Sequence, residues 1–389
     1  MADDNGVAGG GPGKLPNPAK PILKQILFAV GVYALQYLVV GPAMAIRHWQ
    51  RRRNPPATYP NIIKTYQSRP KLPVRVFFPT SYRYNGNPAN AEGAHTPLPT
   101  LFTIHGGGFV VGDPSDNDVF NHIFANQHNA LVIALNYSKA PGTPFPGPLS
   151  DLEAQITAVF TDPELAPFIR QDKVGMAGFS AGGNLTLAIC QFPAIREKIT
   201  AGIVPIYPVV DFSVSKDLKK ETRRYKPALA GLRGRAKDVL LPFAEAFNWS
   251  YIPVGQDVRD PLLSPIFAER SSLPRRIWLM GCELDMLGHE AWQMACQLAG
   301  KPVPGLDQPI GQAEPERTGK PGALITGEDE RFAWEEKDTD GEIKWLCVPD
   351  ATHAFDTAGD MRADEKTVED GILKRDRIIS MAGEWLFGQ

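Results

Sequence analysis

Cysteine is scarce and unpatterned. The chain has four in 389 residues, Cys190, Cys282, Cys296 and Cys347, and none forms a C-x-x-C pair. That spacing excludes a thiolate zinc site and a disulfide frame, and it predicts reduced, buried thiols. Neither charge sign is in excess: 41 Lys and Arg face 43 Asp and Glu, for a net charge of −2. That balance gives no electrostatic case for a nucleic-acid partner. No internal repeat is visible. Residues 1–20 are rich in Gly, Pro and Asp and nearly lack large apolar side chains, so they read as a disordered tail.

Residues 26–46 lack charge altogether, with Lys24 before them and Arg47, Arg51, Arg52 and Arg53 after. A helix needs roughly 20 mostly apolar residues to cross a bilayer, and this run has that length. Tyr33, Tyr37 and Trp49 suit interfaces. No small-x-small site precedes the basic flank, which argues against a cleaved signal. Gln36 and Gly41-Pro42 weaken the case for a span, because Pro42 should kink or end the helix. The expectation is membrane attachment through 26–46, spanning before lying in one leaflet. Endoplasmic reticulum is the first expected location, with cytoplasm as the alternative. Residues 21–54 form this anchor and its basic flank, and 55–389 form the catalytic domain.

Beyond a basic, Pro-containing link over 48–70, short apolar runs alternate with helical patterns. Strands are expected at 74–79, 98–104, 131–137, 201–207, 276–281 and 343–348, with a helix at 149–160 and a polar loop at 80–97. The alternation predicts an α/β fold whose mostly parallel sheet is buried on both faces by helices. Two stretches stand outside it. Residues 211–253 are charged and helical in pattern, as suits a cap. Residues 301–342 are rich in Gly, Pro and acids, as suits a surface insertion.

One stretch carries the chemistry. Lys173-Val174-Gly175-Met176-Ala177 reads as a buried strand, Leu185-Thr186-Leu187-Ala188-Ile189 as a helix, and Gly178-Phe179-Ser180-Ala181-Gly182 lies between them. A strand turning at once into a helix strains the turn residue and needs small neighbours, so Ser180 sits on an exposed elbow. The free N–H of Ala181 and the helix dipole then face an oxyanion formed beside Ser180. A base and an orienting acid are needed at the carboxyl ends of other strands. His353 follows the last strand and is the expected base. Asp285 follows 276–281 and is preferred over Glu283 as the acid, while Asp350 reads as a turn residue. His105 reads as ordering its loop. In Gly106-Gly107-Gly108, directly after a strand, two backbone N–H groups can join Ala181 in a three-donor hole.

These segments, with Asp260-Pro261-Leu262-Leu263-Ser264-Pro265 and His353-Ala354-Phe355, together resemble the hormone-sensitive-lipase-like branch of the α/β-hydrolases. The resemblance covers residues 100 to 356. It implies carboxylic-ester hydrolysis with a Ser180–Asp285–His353 triad, oxyanion donors Gly107, Gly108 and Ala181, and no metal or organic cofactor. The implied partner is a small-molecule or lipid-like ester. Acyl transfer, amide deacetylation or a dedicated biosynthetic hydrolysis would use the same triad. A non-catalytic ligand-binding member is disfavoured because all three residues are present. The anchor is similar to that of arylacetamide-deacetylase-like members, which are membrane-bound. Two departures stand out: Phe179 occupies a position where many members carry an acid, and Tyr137-Ser138-Lys139-Ala140-Pro141 is looser than the usual Tyr-Arg-Leu-Ala-Pro run. The second departure puts the role of carboxylates around Asp151 in doubt.

Overall fold

A computed structural model describes residues 13–82, 96–229, 231–313, 320–327, 329–357 and 363–388. Most of the polar loop expected at 80–97, the first twelve residues of the expected tail, and residues 314–319 and 328 of the expected insertion lie outside that set.

The chain opens with a continuous apolar helix: α1 (Ile22–Ala34), a π-helical stretch (Leu35–Val40) and α2 (Gly41–Arg53). Pro42 neither ends nor breaks it, contrary to expectation. Pro42 lies in the first turn of α2, where the wider π-turn before it has already displaced the backbone bond that proline cannot make.

The sheet follows. Strands β1 (Ile62–Tyr66), β2 (Arg69–Phe77), β3 (Leu98–Ile104) and β4 (Leu131–Leu135) lie in its first half, with α3 (Asp118–Gln127) between the last two. Helix α4 (Gly147–Thr161) leads to β5 (Ile169–Phe179), α5 (Ala181–Ile189), α6 (Pro193–Arg196) and β6 (Gly202–Ile206). Helices α7 (Lys216–Lys219) and α8 (Leu241–Tyr251) precede β7 (Arg276–Cys282) and α9 (Gly288–Leu298). The chain closes with β8 (Ala333–Asp338), β9 (Gly341–Val348) and α10 (Glu365–Phe387).

The spatial order is β1-β2-β4-β3-β5-β6-β7-β9-β8. Strands β4, β3, β5, β6, β7 and β9 run parallel, and antiparallel pairing is confined to β2 against β4 and the two outer hairpins. Strands β4 and β6 are buried along their whole length and β5 is buried from Val174 to Phe179, so they read as apolar runs, and helices cover both faces.

Three expectations require correction. Residues 62–66, read as part of a basic link, form β1 and pair with β2. Their alternating pattern Ile62-Ile63-Lys64-Thr65-Tyr66 was too short and too close to Arg69 and Pro70 to stand out. Residues 333–338, assigned to a surface insertion, form edge strand β8 on β9. Its acids, Glu335 and Glu336, lie exposed at the sheet edge, where charge is tolerated. The stretch 13–20 is not free of the body either: Val258 N–H donates to Leu15 O (2.9 Å), and Asn17 Nδ2 donates to Ile252 O (2.9 Å).

Candidate active site

The elbow follows from three close approaches. Ser180 holds φ of 56°, a left-handed conformation that a serine adopts at a cost. A Cβ on Gly178 would stand 2.1 Å from Gly182 O, and one on Gly182 would stand 2.1 Å from Ile104 O. Both positions therefore admit only glycine, and the elbow clips β5, β3 and α5 together. Ser180 N–H donates to Ile206 O (2.9 Å), which fixes the turn to β6. Behind it, Asn184 Nδ2 donates to Val209 O and Leu263 O (both 2.9 Å), so the 260–265 segment braces α5.

Three residues remote in sequence meet at this elbow. His353 Nε2 lies 2.8 Å from Ser180 Oγ, and His353 Nδ1 lies 2.7 Å from Asp285 Oδ2. Asp285 is fully buried, and its other oxygen accepts from Leu287 N–H (3.0 Å). With Nδ1 donating to the carboxylate, Nε2 is left to accept from the serine hydroxyl. Burial alone would lower the His353 pKa, but Asp285's charge and hydrogen bond, helped by Asp238 and Asp356, carry it above the ordinary value.

The loops that carry the acid and the base are tied to each other. Glu283 N–H donates to Val348 O (3.1 Å), and Leu284 N–H donates to Ala351 O (2.9 Å). Lys226, fully buried, places its ammonium 2.8 Å from both Glu283 and Asp350. Asp350 has φ of 54°, and its N–H donates to Glu283 Oε2 (2.8 Å). Glu283 and Asp350 thus position the two loops, consistent with neither being the orienting acid.

Two residues near the site had no signal in the sequence. Asp238, from the 211–253 segment, accepts from the N–H of Met286 next to the acid (2.9 Å). Burial, then the charge of Asp285, pushes its pKa up to about 6. Tyr207 packs its ring 4.8 Å from that of His353 and donates its hydroxyl to Asp356 (2.6 Å). Phe179, at the departure from the family pattern, is buried edge-on against Phe120 (4.9 Å). Aromatic packing occupies the space where an acid would need a polar partner.

The glycine loop faces the elbow. Gly107 and Gly108 hold φ of 106° and 59°, and a Cβ on Gly108 would lie 2.2 Å from the ring of Phe247 on α8. Among the described residues, the N–H groups of Gly107, Gly108 and Ala181 donate to no protein acceptor. His105 orders this loop: its Nδ1 donates to Gly106 O (2.7 Å), and its ring stacks on Tyr137 (4.4 Å). Burial, then the nearby Lys139 ammonium, drops its pKa to about 3, so it stays neutral. Asp151 is held by Arg69 and by Ser138 N–H, so its cation comes from β2, while Lys139 of the 137–141 run turns to Asn136 and the Tyr137 carbonyl.

The remaining histidines are elsewhere: His48 by Asp113, His122 by Asn126, His128 on Ile379 O and His289 on Gly305 O. A cavity of about 670 Å³ lies between residues 15–20, 212–217 and α8, and neither the triad nor the glycine loop lines it. Bond geometry rather than that cavity marks the site.

A family described as having the alpha/beta hydrolase fold matches residues 101–305, just over half of the chain. The chain belongs to this family. It is 29% identical over 61% of its length to an arylesterase of Saccharolobus solfataricus, covering 69% of that protein. It is 27% identical over 54% of its length to carboxylic ester hydrolase LipN of Mycobacterium tuberculosis, covering 55% of it. It is 30% identical over 40% of its length to arylacetamide deacetylase of Oryctolagus cuniculus, covering 38% of that relative. Among solved structures, a hyperthermophilic esterase from Pyrobaculum calidifontis superposes with a TM-score of 0.58 at 22% identity, over 94% of this chain and 99% of that one. That likeness concerns the fold.

Proposed function

We propose that this α/β hydrolase is a serine esterase that cleaves carboxylic esters through an acyl-enzyme on Ser180. The observation that carries the reading is the unbroken hydrogen-bond chain from Ser180 through His353 to Asp285. Relatives named as an arylesterase, a carboxylic ester hydrolase and an acetyl-hydrolase support it.

The acyl carbonyl enters between Ser180 and the glycine loop, beneath α8. Ser180 attacks as His353 Nε2 takes its proton, and Asp285 stabilises the imidazolium. The N–H groups of Gly107, Gly108 and Ala181 receive the developing oxyanion, each donor worth roughly 2.7–4 kcal/mol in the transition state. His353 then protonates the leaving alcohol, and water repeats the sequence on the acyl-enzyme. Residues 211–253 act as the cap, and residues 22–53 attach the enzyme to a membrane. In the test, wild-type protein should react with a fluorophosphonate probe and hydrolyse p-nitrophenyl esters, and Ser180→Ala should do neither. Persistent labelling of Ser180→Ala would refute the assignment.

A further inference from the structure

The helix formed by α1, the π-turn and α2 is inverted relative to a helix on a water-soluble surface. Four of its polar side chains, Lys24, Gln36, Arg47 and Arg51, turn toward the catalytic body. Gln36, the one polar residue within the uncharged run, donates from Nε2 to Val110 O (2.7 Å) and Ala140 O (2.8 Å), beside the glycine loop. Lys24 pairs with Glu245 of α8, Arg47 with Asp116 (2.6 Å) and Arg51 with Asp118 (3.1 Å). The opposite face is apolar and bare: Ile22, Leu23, Tyr37 and Leu38 are 70–77% exposed, and Ile26, Leu27, Val30 and Val39 are also exposed. A patch of this kind is stable only against another apolar medium.

The chain on either side of the helix bonds to the same body. Before it, Leu15 N–H donates to Asp257 (3.0 Å) and Gly255 N–H donates to Asn17 O (2.9 Å). After it, Asn61 N–H donates to Val76 O in the sheet (2.9 Å). A transmembrane crossing would place these two flanks on opposite sides of the bilayer and break the Gln36, Arg47 and Arg51 bonds. Charge selects the surface. Of the seven Lys and Arg in residues 13–53, Lys24, Arg47 and Arg51 are neutralised by carboxylates of the body, whereas Arg52 and Arg53 stay exposed beside Trp49 at the end of the apolar face. Basic residues with interfacial aromatics beside an apolar face suit an anionic lipid surface.

Building on the membrane attachment proposed above, we infer that this helix lies flat in one leaflet of an anionic bilayer. The catalytic body rides on its polar face, and Gln36 couples the docked helix to the segment behind the oxyanion loop. The helix extends about 48 Å at 1.5 Å per residue over its 32 residues, and exposed apolar side chains run along its outer face from Ile22 to Trp49.

The test is a topology measurement on the full chain synthesised into microsomes, with Lys14→Cys and Gln171→Cys made separately. Both positions are exposed and all four native cysteines are buried. An impermeant maleimide should give both variants the same labelling in membrane-bound protein. Labelling of one and protection of the other means a crossing and overturns the inference while leaving membrane attachment intact. Protein that stays out of the membrane fraction overturns both membrane readings. Purified protein should also bind phosphatidylcholine vesicles containing phosphatidylserine, and Leu27→Glu with Leu38→Glu should weaken that binding about tenfold or more. Circular dichroism should show that this variant is folded. Unchanged binding by the folded variant overturns the inference. The Ser180 probe reaction reports on ester hydrolysis independently of all these outcomes.

Discussion

At the residue scale, more than one acid acts on the His353 imidazole. His353 must be neutral to take a proton from Ser180, and its pKa is raised above the ordinary 6.5. Activity should therefore fall as pH drops through that raised value, with the acid limb of kcat/KM above pH 6.5. Asp238 adds negative charge to the same pocket, so Asp238→Asn should move the limb to lower pH. A pH–rate profile of the two proteins checks the sign, since a purely structural defect would lower the whole curve without moving it. Asp285→Asn should cost far more, on the order of 10⁴ in kcat by analogy with other serine triads, because the imidazole loses its tautomer. Steady-state kinetics at one pH measures that loss. Ser180, Asp285 and His353 stood out as candidates in the sequence, since each follows a strand, in an order that few folds share. Asp238 was not, because an acid in a charged segment carries no mark of what it will face.

At the scale of elements, the 211–253 segment and the loops that carry Asp285 and His353 are joined by the buried Lys226 ammonium. Removing one partner of a buried ion pair typically costs about 3–5 kcal/mol, because the remaining charge stays desolvated. Lys226→Met should therefore lower stability in urea unfolding by about that amount, and adding Glu283→Gln should recover part of it. The α8 helix meets the glycine loop just as closely. Gly108→Ala would force a methyl into the Phe247 ring at a positive φ, and should reduce kcat/KM by about 10². Pairing it with Phe247→Ala should restore some activity in the same assay, by removing the collision but not the backbone strain. The parallel strands were readable as apolar runs. Strands β1 and β8 were missed because edge strands carry exposed, charged alternation that resembles loop composition.

For the whole molecule, the arrangement of the first helix governs behaviour in solution. Its bare apolar face predicts self-association in plain buffer and a single small species in mild detergent. Light scattering with size-exclusion chromatography would show this, and Leu27→Glu with Leu38→Glu should give the small species without detergent. The same face supplies the membrane signal in the sequence. Length and lack of charge in residues 26–46 are equally compatible with a helix that crosses and one that lies flat. Only the partners of Gln36, Lys24 and Arg47 separate the two.

Sequence was enough for the class of sheet, and it singled out Ser180, His353 and Asp285, which the fold brings into hydrogen-bond contact. Each rests on a local constraint: glycines at a crowded elbow, apolar runs of strand length, reactive groups at strand ends. Tertiary structure alone decided how Lys226 and Asp238 meet the loops that carry Asp285 and His353, how Arg69 holds Asp151, and which way the first helix faces. Those contacts join residues far apart in the chain, and burial and pairing of charge are properties of the folded surroundings that no local pattern encodes.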